Sequence, residues 1–126
     1  MTVTMLISMP PMGKARPRVT KSGHAFMPSS YTKWKKDFAT RAVFAWRPWP
    51  NITGPFSIKI TIGTKSGKMR SDLDNSAGSV LDALQDAGLI ANDRDCRQLM
   101  AKIITSNTPW ILVEVDTIPT QTESQT

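Results

Sequence analysis

The sequence predicts an α+β fold: a two-layer α/β sandwich in which two main helices lie on a mixed β-sheet, with element order β-α-β-α-β-β. Three observations lead there. Segments with apolar residues at every second position occur at the start, in the middle and near the end of the chain. Two longer segments instead carry apolar residues one helical turn apart, and stretches rich in Pro, Gly and Asn separate the two kinds. A length of 126 residues suits one domain with one core, placed at residues 1–118. Residues 119–126 are polar and without periodicity, and read as a disordered tail.

Taken in order, Thr2 to Met9 puts Val3, Met5 and Ile7 on one side of a first strand, which Pro10 and Pro11 end because proline cannot donate to a ladder. Residues 12–28 form a basic run with Gly13 and Gly23 near its ends and read as a mobile loop. Lys14, Arg16, Arg18 and Lys21 on it are expected to contact phosphates. Ser29 or Ser30 can cap a helix running to about Trp46, with Tyr31, Trp34, Phe38, Ala42 and Ala45 as its core face. Lys33, Lys35, Lys36 and Arg41 leave the other faces. Phe56 to Thr64 sets Phe56, Ile58, Ile60 and Ile62 against Ser57, Lys59 and Thr61, a half-buried strand. A second helix is marked by Ala77, Val80, Leu81, Leu84 and Ala87, with Gly88 fitting the position just past its end. Gln98 to Ser106 and Trp110 to Ile118 read as strands, joined by Asn107-Thr108-Pro109 as a candidate hairpin.

Composition excludes several classes. Cys96 is the only cysteine, so no internal disulfide can form, and its acidic neighbour Asp95 disfavours the thiolate. His24 is the only histidine, which leaves zinc without its usual donors. No stretch approaches the ~20 apolar residues of a membrane span, and the expected location is the cytoplasm of a bacterial or phage-infected cell. The charge is divided along the chain. Residues 1–71 hold 13 Lys/Arg against one acid, a net +12, and residues 72–126 hold 3 against 9, a net −6. This is the layout of a basic surface for a polyanion set against an acidic pocket.

Five of the ten carboxylates fall between positions 72 and 93. In extended chain Asp72 and Asp74 leave the same face and can converge on one divalent cation. Alternatively, Asp74 or Asn75 is simply the N-cap of the second helix. Asp82 lies on the flank of the helix stripe beside position 78, and Asp93 sits in a short connection expected to turn back and bring a third carboxylate near the first two. A calcium loop is excluded, because a loop starting at Asp72 would have Ala77 at its glycine position and Ala83 at its glutamate position. Oxygen donors without histidine or cysteine suit Mg²⁺. Lys65, Lys68 and Arg70 form a basic loop leading into Asp72.

Asp72-Leu-Asp74-Asn75, then Asp82-Ala83-Leu84, then Asn92-Asp93 resembles the RusA family of Holliday-junction resolvases, and Pro11-Met-Gly-Lys14-Ala-Arg16-Pro17-Arg18 resembles the basic segment of its phage members. The resemblance implies a homodimeric, Mg²⁺-dependent endodeoxyribonuclease, with Mn²⁺ as a possible substitute, that cuts four-way DNA junctions by paired nicks in recombination and repair. It implies no organic cofactor and no membrane partner. Asp72, Asp74 and Asp93 match its essential acidic positions and Asp82 its helix aspartate, so the first three are expected to hold the metal, with Asp82 as a further ligand or a partner of the ligands. The family lysine expected four residues after Asp74 is Gly78 here. Either another cation replaces it, with Lys68, Lys65 and Arg70 best placed by sequence, or activity is reduced or altered. Three alternatives to the resolvase stand: a junction-binding protein with a degenerate site, a less selective branched-DNA nuclease, and a small metal-binding or protein-interaction module that binds no nucleic acid.

Overall fold

The structure, a computed structural model, describes residues 1–69 and 72–119. The sheet strands are β1 (Thr2–Ile7), β4 (Phe56–Thr64), β5 (Cys96–Thr105) and β6 (Trp110–Thr117), in the order β1-β6-β4-β5. β6 is antiparallel to both β1 and β4, whereas β5 runs parallel to β4, so the sheet is mixed. The helices are α1 (Ser29–Trp46) and α2 (Leu73–Asp86), and the α+β class and main element order are those the sequence predicts. No helix among the described residues is long and apolar enough to cross a membrane. The proposed tail lies almost wholly outside the described residues.

The period-2 patterns line up across the strands. Val3, Val115 and Ile58 form one row, Met5, Val113 and Ile60 the next, and Ile7, Ile111 and Ile62 a third, all buried. The helices cover this face. Thr4, Glu114, Lys59 and Met100 share a row on the opposite face, as in an antiparallel sheet packed on one side only. α1 buries Tyr31, Trp34, Phe38, Ala42 and Trp46. Ala45 is exposed, and Trp46 takes the inward place because it lies four residues beyond Ala42 on the same stripe. The N-cap position is Pro28, without a side-chain cap bond, so neither Ser29 nor Ser30 caps the helix.

Two other features depart from the sequence reading. The segment expected to be one mobile loop contains a short hairpin, β2 (Arg18–Val19) paired with β3 (Ala25–Phe26), closed by hydrogen bonds from Thr20 N–H to His24 O (2.9 Å) and Gly23 N–H to Thr20 O (3.0 Å). Gly23 adopts φ +87° there, a conformation that costs glycine nothing. More consequentially, β5 and β6 are not a hairpin, because β4 lies between them. The connection from Ser106 to Pro109 passes over the end of β4: Ser106 N–H donates to Thr64 O (2.8 Å), and the Trp110 ring lies on Gly63. The apolar strand β4 thereby takes a central position, where it is covered most fully.

Candidate active site

α2 carries the acidic segment and is fixed at both ends. Its N-cap is Asp72, without a side-chain cap bond, so neither Asp74 nor Asn75 is the cap. Asp74 sits in the first turn, where the helix dipole favours negative charge, and its Oδ1 accepts from the Asn75 N–H (2.9 Å). At the other end Gly88, at φ +76°, donates to Gln85 O (3.0 Å) and Leu89 donates to Leu84 O (3.0 Å). This is the paired bonding that ends a helix on a left-handed glycine.

The basic segment after β1 is laid across the first half of α2. Lys14 N–H donates to Asn75 O (3.3 Å), and the buried Ser79 hydroxyl donates to Met12 O (2.5 Å). Trp34 Nε1–H donates to Pro10 O (2.8 Å), and Arg41 to Ser8 O (3.1 Å), so α1 holds the same segment from the other side. The result is an open cleft of about 720 Å³ lined by Lys14, Arg16, Asp72, Asp74, Asn75 and Gly78, among others. The charge division of the sequence is thus closed up in space, with residues some 60 positions apart facing each other.

Asp82, one turn beyond Gly78, faces α1. Its Oδ2 accepts from the Tyr31 hydroxyl (2.7 Å) and pairs with Lys35 Nζ (3.2 Å), which also pairs with Asp86 (2.8 Å). Burial pushes the Asp82 carboxyl up, but the hydrogen bonds from Tyr31 and Lys35 and the charges of Lys35 and Lys14 outweigh it and hold its pKa below the ordinary value. Burial, then the Asp82 bond and the charges of Asp82 and Asp86, push the Tyr31 hydroxyl far up, so it stays a donor.

Asp93 opens a 3₁₀ turn (Asp93–Asp95) that Asn92 caps by accepting from Arg94 N–H (2.9 Å). The chain does turn back, since Asp93 N–H donates to the Gln85 side chain (2.7 Å). It returns to the C-terminal end of α2, however, while Asp72 and Asp74 stand at the N-terminal end. At ~1.5 Å rise per residue the helix separates them by roughly 20 Å. Among the described residues no group of three His, Cys, Asp or Glu side chains gathers closely enough to hold a metal. Asp72 and Asp74 share the cleft, and Asp93 does not line it.

The remaining predicted residues divide. Arg18 lies on β2 and Lys21 at the hairpin tip, both exposed. Lys65 and Lys68 are exposed on the loop after β4, where Lys68 O accepts from Thr64 Oγ1 (3.0 Å), and neither lines the cleft. Arg70 lies outside the described residues. Burial, and after it the charge of Asp93, push the Cys96 thiol up against the opposing effects of the Gln98 backbone and the Arg97 charge, so the thiol stays protonated. Sequence reasoning missed the approach of Lys14 to Gly78, for which a glycine at a helix-interior position beside the acidic pair was the only signal.

A two-layer α+β domain whose open cleft sets a pair of helix-entry carboxylates against lysine and arginine defines the class: a protein equipped to handle a phosphodiester backbone. The family model described as Endodeoxyribonuclease RusA matches residues 8–116, most of the chain, and the chain belongs to that family. It is an endodeoxyribonuclease. No curated protein matches it.

Proposed function

We propose that the chain resolves Holliday junctions by paired, Mg²⁺-dependent nicks, acting as a homodimer. The observation that carries this reading is the shared cleft: Asp72 and Asp74 line it together with Lys14 and Arg16. Its donors fit the ion, since Mg²⁺ takes oxygen ligands, keeps several waters and is commonly held by one or two carboxylates plus substrate phosphate. When bound, Mg²⁺ acidifies a water and polarises a phosphoryl oxygen. Asp72 and Asp74 hold the ion at the helix entry. Arg16, with Arg18 and Lys21 on the hairpin and Lys65 and Lys68 on the loop after β4, positions the DNA backbone by neutralising phosphates, and Arg70 belongs to the same set by its sequence position. Asp82 ties α2, which carries Asp72 and Asp74 at its entry, to α1 through Tyr31 and Lys35.

Asp93 belongs to the ligand set in this reading only as a contribution from a second copy of the chain, because within one copy α2 keeps it away from Asp72 and Asp74. The exposed edge strand β5, which follows Asp93 and carries the exposed Leu99, Met100 and Ile104, offers an apolar surface for such pairing. The test is junction cleavage in Mg²⁺ by wild type, Asp74→Asn, Asp93→Asn and a co-purified heterodimer of the two variants. Each variant alone should bind junctions and cut none. The heterodimer, which rebuilds one complete site, should nick a single strand. Cleavage by Asp74→Asn would remove that residue from the metal site, and a silent heterodimer would remove the shared site while leaving the nuclease reading intact.

Gly78 motivates a second reading, a junction-binding protein without turnover. It requires wild-type binding in EDTA and no cleavage in either Mg²⁺ or Mn²⁺. Four-way, flap and linear substrates compared side by side separate a resolvase from a less selective branched-DNA nuclease.

A further inference from the structure

We propose that Lys14 is the catalytic cation of this cleft, supplied from the loop after β1 across the gap that Gly78 leaves in α2. This inference rests on the nuclease reading above and identifies a residue within it. Positions 74, 78 and 82 succeed one another at four-residue spacing on one side of α2, so Gly78 stands between two carboxylates. Glycine inside a helix costs about 1 kcal/mol relative to alanine, and nothing about the helix itself requires it here, because Gly78 is not among the glycines with positive φ. What it provides is space. A Cβ built at Gly78 would have one neighbour within 4 Å, the Lys14 Cδ at 3.8 Å. The Lys14 stem thus lies where a side chain at position 78 would run.

Two bonds fix that placement. Lys14 N–H donates to Asn75 O, and Met12 O accepts from Ser79, so the loop is anchored to α2 on both sides of Gly78 in sequence. Lys14 is not held in an ion pair: among the described residues, the ion pairs are those of Lys35 with Asp82 and Asp86, and the charge of Lys14 reaches Asp82 only at longer range. The exposed Lys14 lines the same cleft as Asp72 and Asp74, where a scissile phosphate would lie. In hydrolysis a water oxygen bonds to phosphorus, the P–O3′ bond breaks, and the departing oxygen leaves with a proton from water. Lys14 keeps its proton throughout and pairs with a non-bridging oxygen as negative charge builds there, the kind of aimed stabilisation that acts in the transition state.

The experiment measures single-turnover cleavage of a four-way junction in Mg²⁺ and junction affinity in EDTA for wild type, Lys14→Ala, Lys68→Ala and the double variant Lys14→Ala/Gly78→Lys. Lys14→Ala should lower the cleavage rate about 100-fold or more, the usual scale for removing one transition-state donor, with affinity changed no more than a few-fold. A lysine at position 78 should return at least tenfold of the lost rate. Unchanged cleavage in Lys14→Ala, a rate loss no larger than its affinity loss, a loss confined to Lys68→Ala, or a double variant no faster than Lys14→Ala would each overturn the assignment and leave the nuclease reading standing. A wild type that binds junctions and cuts none would overturn both.

Discussion

The Asp82 carboxylate links α2 to α1. Its sequence position suggests a place near the other acids, yet its side chain turns to α1 and meets Tyr31 and Lys35. Because its pKa is lowered on folding, its contribution to stability is present above the ordinary carboxylate pKa of 3.8 and is lost as pH falls through the folded value. Lys35 has the opposite sign. Burial lowers its pKa, but bonds to Asp86 and Asp82 outweigh this and raise it, so its contribution holds below 10.5 and fades only above that. Asp82→Asn should therefore cost stability at neutral pH, on the order of 1–3 kcal/mol for a charged hydrogen-bonding partner. The gap from wild type should close as the solution is taken below pH ~4, as denaturant melts across pH will check. A gap that stays constant into acid would show that the charge is not the stabilising feature.

At the scale of elements, the join between β4 and β6 has the least tolerance for change. Gly63 faces Trp110 across the ladder, and an added Cβ would stand 2.5 Å from Trp110 Cε2. The indole is also tied to the Ser106 hydroxyl (2.7 Å), so it cannot swing aside without losing that bond. Gly63→Ala should destabilise the domain by about 1–3 kcal/mol, the usual cost of overpacking, and thermal unfolding will measure it. Sequence alone does not reveal this close approach. Alternation shows which face of β4 is apolar, but strand neighbours depend on the path of the chain, and the short Ser106–Pro109 link fits a hairpin as readily as a crossing over the end of β4. The small β2–β3 hairpin was illegible for a different reason: its strands are only two residues long, too short for a period to register.

For the whole molecule, the division of charge becomes a geometry. The basic N-terminal half supplies Lys14, Arg16 and the hairpin, and the acidic half supplies α2, with the loop across α2 bringing the two together. If the hairpin cations hold DNA phosphates, log affinity should fall linearly with log salt, and Arg18→Ala with Lys21→Ala should reduce that slope by roughly 0.9 for each phosphate of duplex DNA that is no longer neutralised. Titrations at several salt concentrations in EDTA will show it, and an unchanged slope would remove the hairpin from the interface.

Composition and periodicity were sufficient for the α+β class, both helices, the four main strands and the acidic pair at the entry of α2, because each depends on residues close together in the chain, and the resemblance of several motifs pointed to the family. The tertiary structure alone decided that β4 separates β5 from β6, that Asp93 stands at the far end of α2 from Asp72 and Asp74, and that Lys14 crosses Gly78. Those relations join segments tens of residues apart. Packing of the helices on the sheet sets them, and no local pattern carries that information.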